Sequence, residues 1–446
     1  MKKALNIAAI SILLGTMPMV AAEPQNKETA TGADNYNKVR VGGYGEILAN
    51  WKDYGLNRFN GSPTGNTNKN HSEISIPRFV LALDYKFNSK WILGAEVEIE
   101  AGGTGQTFEM ESGAGSENGE YETEVEKGGE VALEQFHITR LIAPEFNIRA
   151  GHMIVPVGLT NAHHEPINFF GSSRPEGETS IIPCTWHETG IEVFGEFGKG
   201  LASFDYEAMI VTGLNPNGFD MYNWVKGGKQ GAFETDNFTR PAYVARINWT
   251  GVKGLRLGGS VYYCPNAGKN SDKLNWYDNI DDINVFIYSI DAKYQNRFVT
   301  AQANYLNGSV SASKELSEIN SRYSKLSPYS LQGPIAKRAT TYSVEAGLNL
   351  KSVFSGVKNF PTLYPFAHYE YYNPQFKGVG TQVMDKRCEV SMWTVGLNWK
   401  PLPNLVVKAD YTTRQIGTDK IFGTGKFNSE NEFAVCLAYT GWFFKK

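Results

Sequence analysis

About sixteen short stretches of this chain alternate apolar and polar residues, and the connections between them alternate between a few residues and one to three dozen. A strand turns successive side chains to opposite faces. A barrel closed through a membrane joins its strands by tight turns on one side and by long exposed loops on the other. The rhythm therefore predicts an all-β fold, a transmembrane antiparallel up-and-down β-barrel of about sixteen strands, and implies a pore.

The last stretch shows the pattern. Phe433, Val435, Leu437, Tyr439 and Phe443 share one parity, with Gly441 as the only gap, while Glu432, Ala434, Cys436, Ala438 and Thr440 hold the other. Trp442, Phe443 and Phe444 then precede two lysines, as in an aromatic girdle at a membrane interface. Near the start, Phe79, Leu81, Leu83, Tyr85 and Phe87 oppose Arg78, Asp84 and Lys86, and Leu93, Ala95, Val97 and Ile99 oppose Glu96, Glu98 and Glu100. Three carboxylates on one face suit a watery lumen better than a packed core, where unpaired charge is prohibitive. The same parity along the chain gives an expected lumen set of Arg40, Arg78, Glu96, Glu98, Glu100, Arg149, Glu188, Glu192, Arg246, Arg256, Lys408 and Arg414. Residues 131–142 are ambiguous, because Phe136 and Ile138 disagree in parity with Leu133 and Leu141.

Residues 1–22 read as a secretory signal, with Lys2 and Lys3, an apolar stretch from Ala4 to Leu14 and small residues at Val20-Ala21-Ala22. Beyond them no run of 18 or more apolar residues occurs, so no helix is expected to span a bilayer. No composition break follows Lys38. The expected organisation is a signal at 1–22, a short segment at 23–38 and one barrel from 39 to 446, set in the lipid of the outer membrane of a Gram-negative bacterium. Without Lys2 and Lys3 the 43 basic residues fall to 41, against 46 acidic ones, which gives no support to nucleic-acid binding. Cys184, Cys264, Cys388 and Cys436 are even in number and too irregularly spaced for a zinc site, which leaves open one disulfide or four small core residues.

Alternating strands also build secreted sandwiches and propellers. No fixed-period repeat is visible, however, and such folds do not place long loops after every odd strand and short turns after every even one. Glu96 and Glu98, about 6.6 Å apart at strand rise, admit a two-carboxylate glycosidase, so the alternative function is a secreted or surface β-protein that binds or hydrolyses glycans. The third carboxylate, Glu100, and the lack of an aromatic sugar platform favour lumen lining, and no Ser/His/Asp signature, phosphate loop or nucleophile elbow is present. No catalytic residue and no cofactor is expected. The stretch from Glu109 to Glu130, with eight glutamates and one lysine, is compatible with divalent cations but reads more simply as a solvated external loop.

Three stretches resemble the phosphate-selective porin O and P family. Arg149-Ala150-Gly151-His152-Met153-Ile154-Val155-Pro156 is similar to the family's fifth-strand signature, Thr189-Gly190-Ile191 to the strand leaving its constriction loop, and Val395-Gly396-Leu397-Asn398-Trp399 with Pro401, Leu405 and the run to Tyr411 to a late hairpin. The resemblance implies a homotrimer of sixteen-stranded barrels whose third long loop folds inward to narrow each pore, passing small hydrophilic solutes or ions with a preference for phosphate or other anions. It places His163, His164, Glu165 and Arg174 in that constriction loop. The adjacent histidines lack helical i, i+4 spacing, so pore-wetted side chains and no metal are expected there. Inward charges of both signs in similar number predict weak ion selectivity.

Overall fold

The computed structural model describes residues 38–446 apart from 56–57, 60–69, 102, 104–105, 111–122, 128–129, 231–234, 272–274, 324–333, 381 and 419–428. The expected signal at 1–22, the segment 23–38 except Lys38, and much of the acidic stretch lie outside the described residues. The strands, in chain order, are β1 (Val39–Asp53), β2 (His71–Ser75 and Arg78–Lys86), β3 (Trp91–Glu100), β4 (Glu130–Ala143), β5 (Phe146–Ile154), β6 (His187–Phe197), β7 (Phe204–Val211) and β8 (Ala242–Val252). They continue as β9 (Leu255–Cys264), β10 (Val285–Gln295), β11 (Val299–Val310), β12 (Arg338–Leu348), β13 (Leu363–Lys377), β14 (Val390–Leu402), β15 (Leu405–Ile416) and β16 (Ser429–Lys445). β2 is broken at Ile76-Pro77, where proline has no N–H to give the ladder, and both pieces pair with β1. Each strand is antiparallel to the next, and β16 returns to β1 from Arg40 opposite Lys445 to Asp53 opposite Asn431. The result is a closed sixteen-stranded antiparallel barrel.

Closure leaves no open edge. Outward side chains such as Ile47, Leu81, Ile138, Ile247, Ile290, Val344, Trp393 and Leu437 are exposed, an apolar wall all around the barrel. Connections after even-numbered strands are short, except that residues 349–362 between β12 and β13 carry a helical turn, Leu350–Val353. The acidic stretch also departs from a plain loop. Gln106–Met110 and Thr123–Lys127 pair as a separate hairpin whose register sets Phe108 opposite Val125.

The parity conflict in β4 has a local cause. Glu96 pairs with Gln135 while Val97 pairs with Leu133, so Glu134 is an extra residue, a β-bulge. Leu133 and Phe136 can then both face outward, and Glu134 and Gln135 are both buried.

The inner face is not polar throughout, contrary to the alternation rule. At the long-loop end it is apolar and buried: Met209 and Val211 in β7, Ala242 and Val244 in β8, Tyr262 and Cys264 in β9, Val285 and Ile287 in β10, Leu306 and Val310 in β11. Leu214, Phe219 and Trp224 from the connection after β7, Ile283 from the one after β9, and Leu316 and Ile335 from the one after β11 pack onto this surface as one core. The long connections carry apolar residues of their own, and burying both surfaces together is favourable at about 25 cal/mol per Å². Gly308 marks a seat in this cap, since any side chain there would run into the Trp224 ring. Strands β16 and β1–β4 give no residue to the cap.

Candidate functional site

The connection between β5 and β6, residues 155–186, holds two short helices, α1 (Leu159–Ala162) and α2 (Glu176–Ile181). Its own residues brace it. Asn161 donates from Nδ2 to the carbonyls of Val155 (2.7 Å) and Val157 (3.1 Å), and its Oδ1 accepts the N–H of Trp186 (2.6 Å). The Glu178 carboxylate accepts the N–H groups of Leu159 (2.8 Å) and Asn161 (3.0 Å), donors that the start of a helix leaves without intrahelical partners. Gly158, at φ +84°, brings the chain against that carboxylate in a conformation few other residues adopt.

Around this segment, inner-face side chains of nine strands bond to it. Arg78 in β2 donates to the His164 carbonyl (3.2 Å) and Arg246 in β8 to that of Gly158 (3.4 Å). Arg256 in β9 donates to His163 Nε2 (2.6 Å), Ser289 in β10 accepts the Gly158 N–H (3.2 Å), and Asn304 in β11 donates to Glu178. Glu345 in β12 accepts the Phe170 N–H (3.1 Å), and Glu370 in β13 accepts those of Glu176 (2.8 Å) and Gly177 (2.7 Å). Lys408 in β15 donates to the carbonyls of Pro166 (2.6 Å), Phe169 (3.0 Å) and Gly171 (2.7 Å), while Asp410 accepts the Ser172 N–H (2.6 Å). The ninth strand is β4, whose bulge residue Glu134 lies 3.2 Å from His164 Nε2. Each such bond to a charged group is worth about 1.5–3 kcal/mol net, so the segment is fixed at many points.

The remaining expected lumen residues lie on the same inner face, buried more deeply than a watery channel predicts. Glu96 accepts from Gln135 (2.5 Å), and Glu98 stands 4.0 Å from both Arg78 and Arg174. Arg78 also donates to Glu46 (3.1 Å). Arg149 pairs with Glu192 at 2.7 Å, Arg246 with Asp291 at 2.8 Å, and Arg40 with Asp84. Arg414 donates to Glu176 (2.7 Å from Nε), and Glu100 lies opposite Arg78 in the ladder. Glu188 is fully buried under the cap, where it accepts from Trp186 Nε1 (3.0 Å) and Thr212. Glu96 and Glu98 of β3 are thus buried against protein partners.

Charge on the segment follows its surroundings. Burial opposes the His164 cation, but Glu134 beside it wins and lifts the imidazole to about 9. Burial, with Arg256 adding, pushes His163 well down, so it stays neutral and accepts from that arginine. Burial raises the Glu178 carboxyl to about 7 against its backbone donors, and raises Glu165 as well.

Glu134 and Glu178 are the residues that sequence reasoning missed. The parity break in 131–142 is the signal for Glu134, because it marks an inserted residue and bulges re-aim side chains next to functional sites. Nothing in the sequence singles out Glu178, which acts through a helix of six residues. Among the described residues no group of three or more His, Cys, Asp or Glu could hold a metal ion, and all four cysteines are free thiols.

No protein-family model matches the chain. An uncharacterized protein of Aquifex aeolicus (strain VF5) is 27% identical over 375 residues, covering 84% of this chain and 75% of its own length. Among solved structures, OmpF of Salmonella typhi in complex with daunomycin superposes with a TM-score of 0.54 at 12% identity, over 92% of this chain and 99% of its own. The anion-selective porin from Comamonas acidovorans superposes with a TM-score of 0.52 at 8% identity, over 91% and 99%. At these identities the likeness is one of architecture: this chain has the fold of the outer-membrane porins.

Proposed function

We propose that the protein is an outer-membrane porin through which small hydrophilic solutes and ions diffuse passively, and that residues 155–186 are its constriction. The observation that carries this reading is the bonding of that one segment to inner-face side chains of nine strands of a closed, outwardly apolar barrel. A barrel with a lipid-suited outside and charges inside serves as a conduit, and a segment held against its inner wall sets the bore. Residues 1–22 would act as the export signal, residues 39–446 as the barrel, and the assembly would be a homotrimer in the outer membrane. Similarity at 149–156, 189–191 and 395–411 supports kinship with the phosphate-selective porin O and P family.

For ion preference we favour weak selectivity, whether or not phosphate is the natural solute. Arg78, Arg174 and Lys408 share the constriction with Glu46, Glu96, Glu98, Glu134 and Asp410, and selectivity follows the charges at the narrowest level. Purified protein reconstituted in a planar bilayer should give discrete conductance steps in KCl, and its band on a gel should shift with heating. Recovery as a soluble monomer without detergent would sink the reading. A reversal potential of large anion-selective magnitude, with chloride current blocked by phosphate, would sink the weak-selectivity part alone.

A further inference from the structure

We infer that solutes cross this barrel off its axis, between residues 171–176 and the β12–β16 side of the wall, and that the cavity there binds small zwitterions, a carboxylate at Arg174 and an ammonium at Asp410. This rests on the porin reading and adds to it a route and a solute class.

The route follows from where the wall is wet. The apolar core runs along the inner long-loop ends of β7–β15, ending with Ala339, Tyr372, Val390 and Ile416, whereas the corresponding inner ends of β16 and β1–β3 carry Glu430, Glu432, Asn50, Lys52, Glu73 and Glu98. Water and solutes do not enter a packed apolar core. Sharing Glu432 with this polar sector is a cavity of about 30 Å³, bounded by residues 171–176 on one side and by side chains of β12–β16, among them Glu345, His368, Asp410 and Arg414, on the other. A water needs about 10–15 Å³ on this measure, so the space admits two or three waters or a solute of the smallest kind.

Unmet polar atoms gather at the same place. Ser172 Oγ, in the cavity wall and 1% exposed, has no hydrogen-bond partner, nor has Arg174 Nε in the same wall. Leaving such groups buried without partners costs about 1–3 kcal/mol each, so this is where a polar guest is stabilised. The lining also has both signs. Arg414 is taken by Glu176 and Glu432, and His368 by Glu345. That leaves Arg174, which donates to Thr185 (3.2 Å) and Cys184 (3.7 Å) but whose nearest carboxylate is Glu98 at 4.0 Å, and Asp410, which has no cation within 4.0 Å among the described residues. An ion of either sign is attracted by one of these groups and repelled by the other. A small molecule that carries both a carboxylate and an ammonium meets both.

Liposome swelling with L-alanine, propionamide and L-lactate tests this, with KCl conductance measured on the same preparations. L-Alanine should enter roughly three- to ten-fold faster than propionamide of similar size, the range one hydrogen bond of ordinary net strength supports, and faster than L-lactate. In Arg174→Gln and in Asp410→Asn the alanine-to-propionamide ratio should fall to about one, and Arg174→Lys should restore part of it. A ratio of one in the wild type, or one that neither variant changes, overturns the zwitterion site while KCl conductance upholds the pore. Absence of conductance overturns the pore itself. If the charge variants fail to fold, Thr412→Cys in a background with the four native cysteines replaced by serine tests the route. Modification by a charged methanethiosulfonate should block KCl current there, and a block at Ser289→Cys on the other wall with none at Thr412→Cys would overturn the off-axis path.

Discussion

The inner face of β8 passes from Ala242 and Val244 to Arg246 and Asn248, whereas that of β1 carries Tyr44, Glu46, Asn50 and Lys52 up to its long-loop end. Both strands obey the same alternation and both are closed on the same ring, yet one ends in a dry core and the other in charge. The difference lies in what the adjoining connections bring. The connections after β7, β9 and β11 supply Phe219, Trp224, Ile283 and Leu316, which need a surface to bury against. The wall beside β1 meets Glu432, Arg414 and Tyr54 instead, and they pair through hydrogen bonds and charge. A barrel wall therefore has no fixed lumen chemistry, and half of this mouth is built like a soluble protein.

The most damaging single change should be in the dry half. Trp224 is fully buried, donates from Nε1 to the Ala336 carbonyl (3.0 Å) and fills the seat over Gly308. Trp224→Ala removes contacts worth about 3–5 kcal/mol in a packed core. The cap should loosen while the barrel persists, with larger single-channel conductance and faster proteolysis within 212–241. A heat-modifiable barrel of unchanged conductance would show that the cap does not obstruct the pore, and the contrast between the two halves would lose its functional meaning.

Within residues 155–186 the comparable pin is Glu178. Glu178→Ala orphans two buried backbone N–H groups and the Asn304 amide, at about 1–3 kcal/mol each. Glu178→Gln keeps an acceptor and should be milder. Open-channel noise is the readout, and the order wild type, Gln, Ala is expected. Equal noise in all three would mean that the apolar contacts of Val155, Val157 and Ile181 hold the segment without help from its polar pins.

Much of this was legible in the sequence. Period-two alternation depends only on the pleat, so strand positions, faces and closure could be read from residues such as Phe433 to Phe443. The cap was not legible, because Val244 or Ile287 on the inward parity reads as a lapse in alternation until the loop that covers it is known. Residues 155–186 were expected to carry His163, His164, Glu165 and Arg174, but the pairing of each depends on register with strands far away in sequence, as with Arg256 and His163. Glu134 left a trace because a bulge disturbs parity, while Glu178 left none.

The polar pins of residues 155–186 titrate, whereas the cap rests mainly on apolar contacts, so pH should act more on the first than on the second. Glu178, raised to about 7, is protonated more readily folded than unfolded, where a glutamate titrates at about 4.3, so stability present at low pH is lost as pH rises between these values. His164, raised to about 9, contributes stability that is full below about 6.5 and is lost as pH climbs through 9. Both signs agree. Proteolysis within 155–186 should quicken from pH 5 to pH 9 more than cleavage within 212–241 does, and the reverse ordering would break the distinction.

The smallest effect concerns selectivity. Arg149 pairs with Glu192 at 2.7 Å and donates to Thr139 (3.1 Å), both away from the cap. Arg149→Ala uncovers the Glu192 carboxylate, and Glu96→Ala removes a carboxylate from the opposite count, so the first should shift the pore towards cations and the second towards anions. Each charge is buried and sits among neighbours of both signs, so it reaches permeating ions only in part, and the permeability ratio should move roughly two-fold, the scale of an interaction of about 0.5 kcal/mol. Removing one member of a buried pair also destabilises, which makes Arg149→Ala with Glu192→Ala the needed control: the double variant should return to near wild-type selectivity. Reversal potentials in a KCl gradient decide it. A shift of the double variant as large as that of Arg149→Ala would mean that the arginine acts on permeating ions directly, and that the wet half is tuned for charge after all.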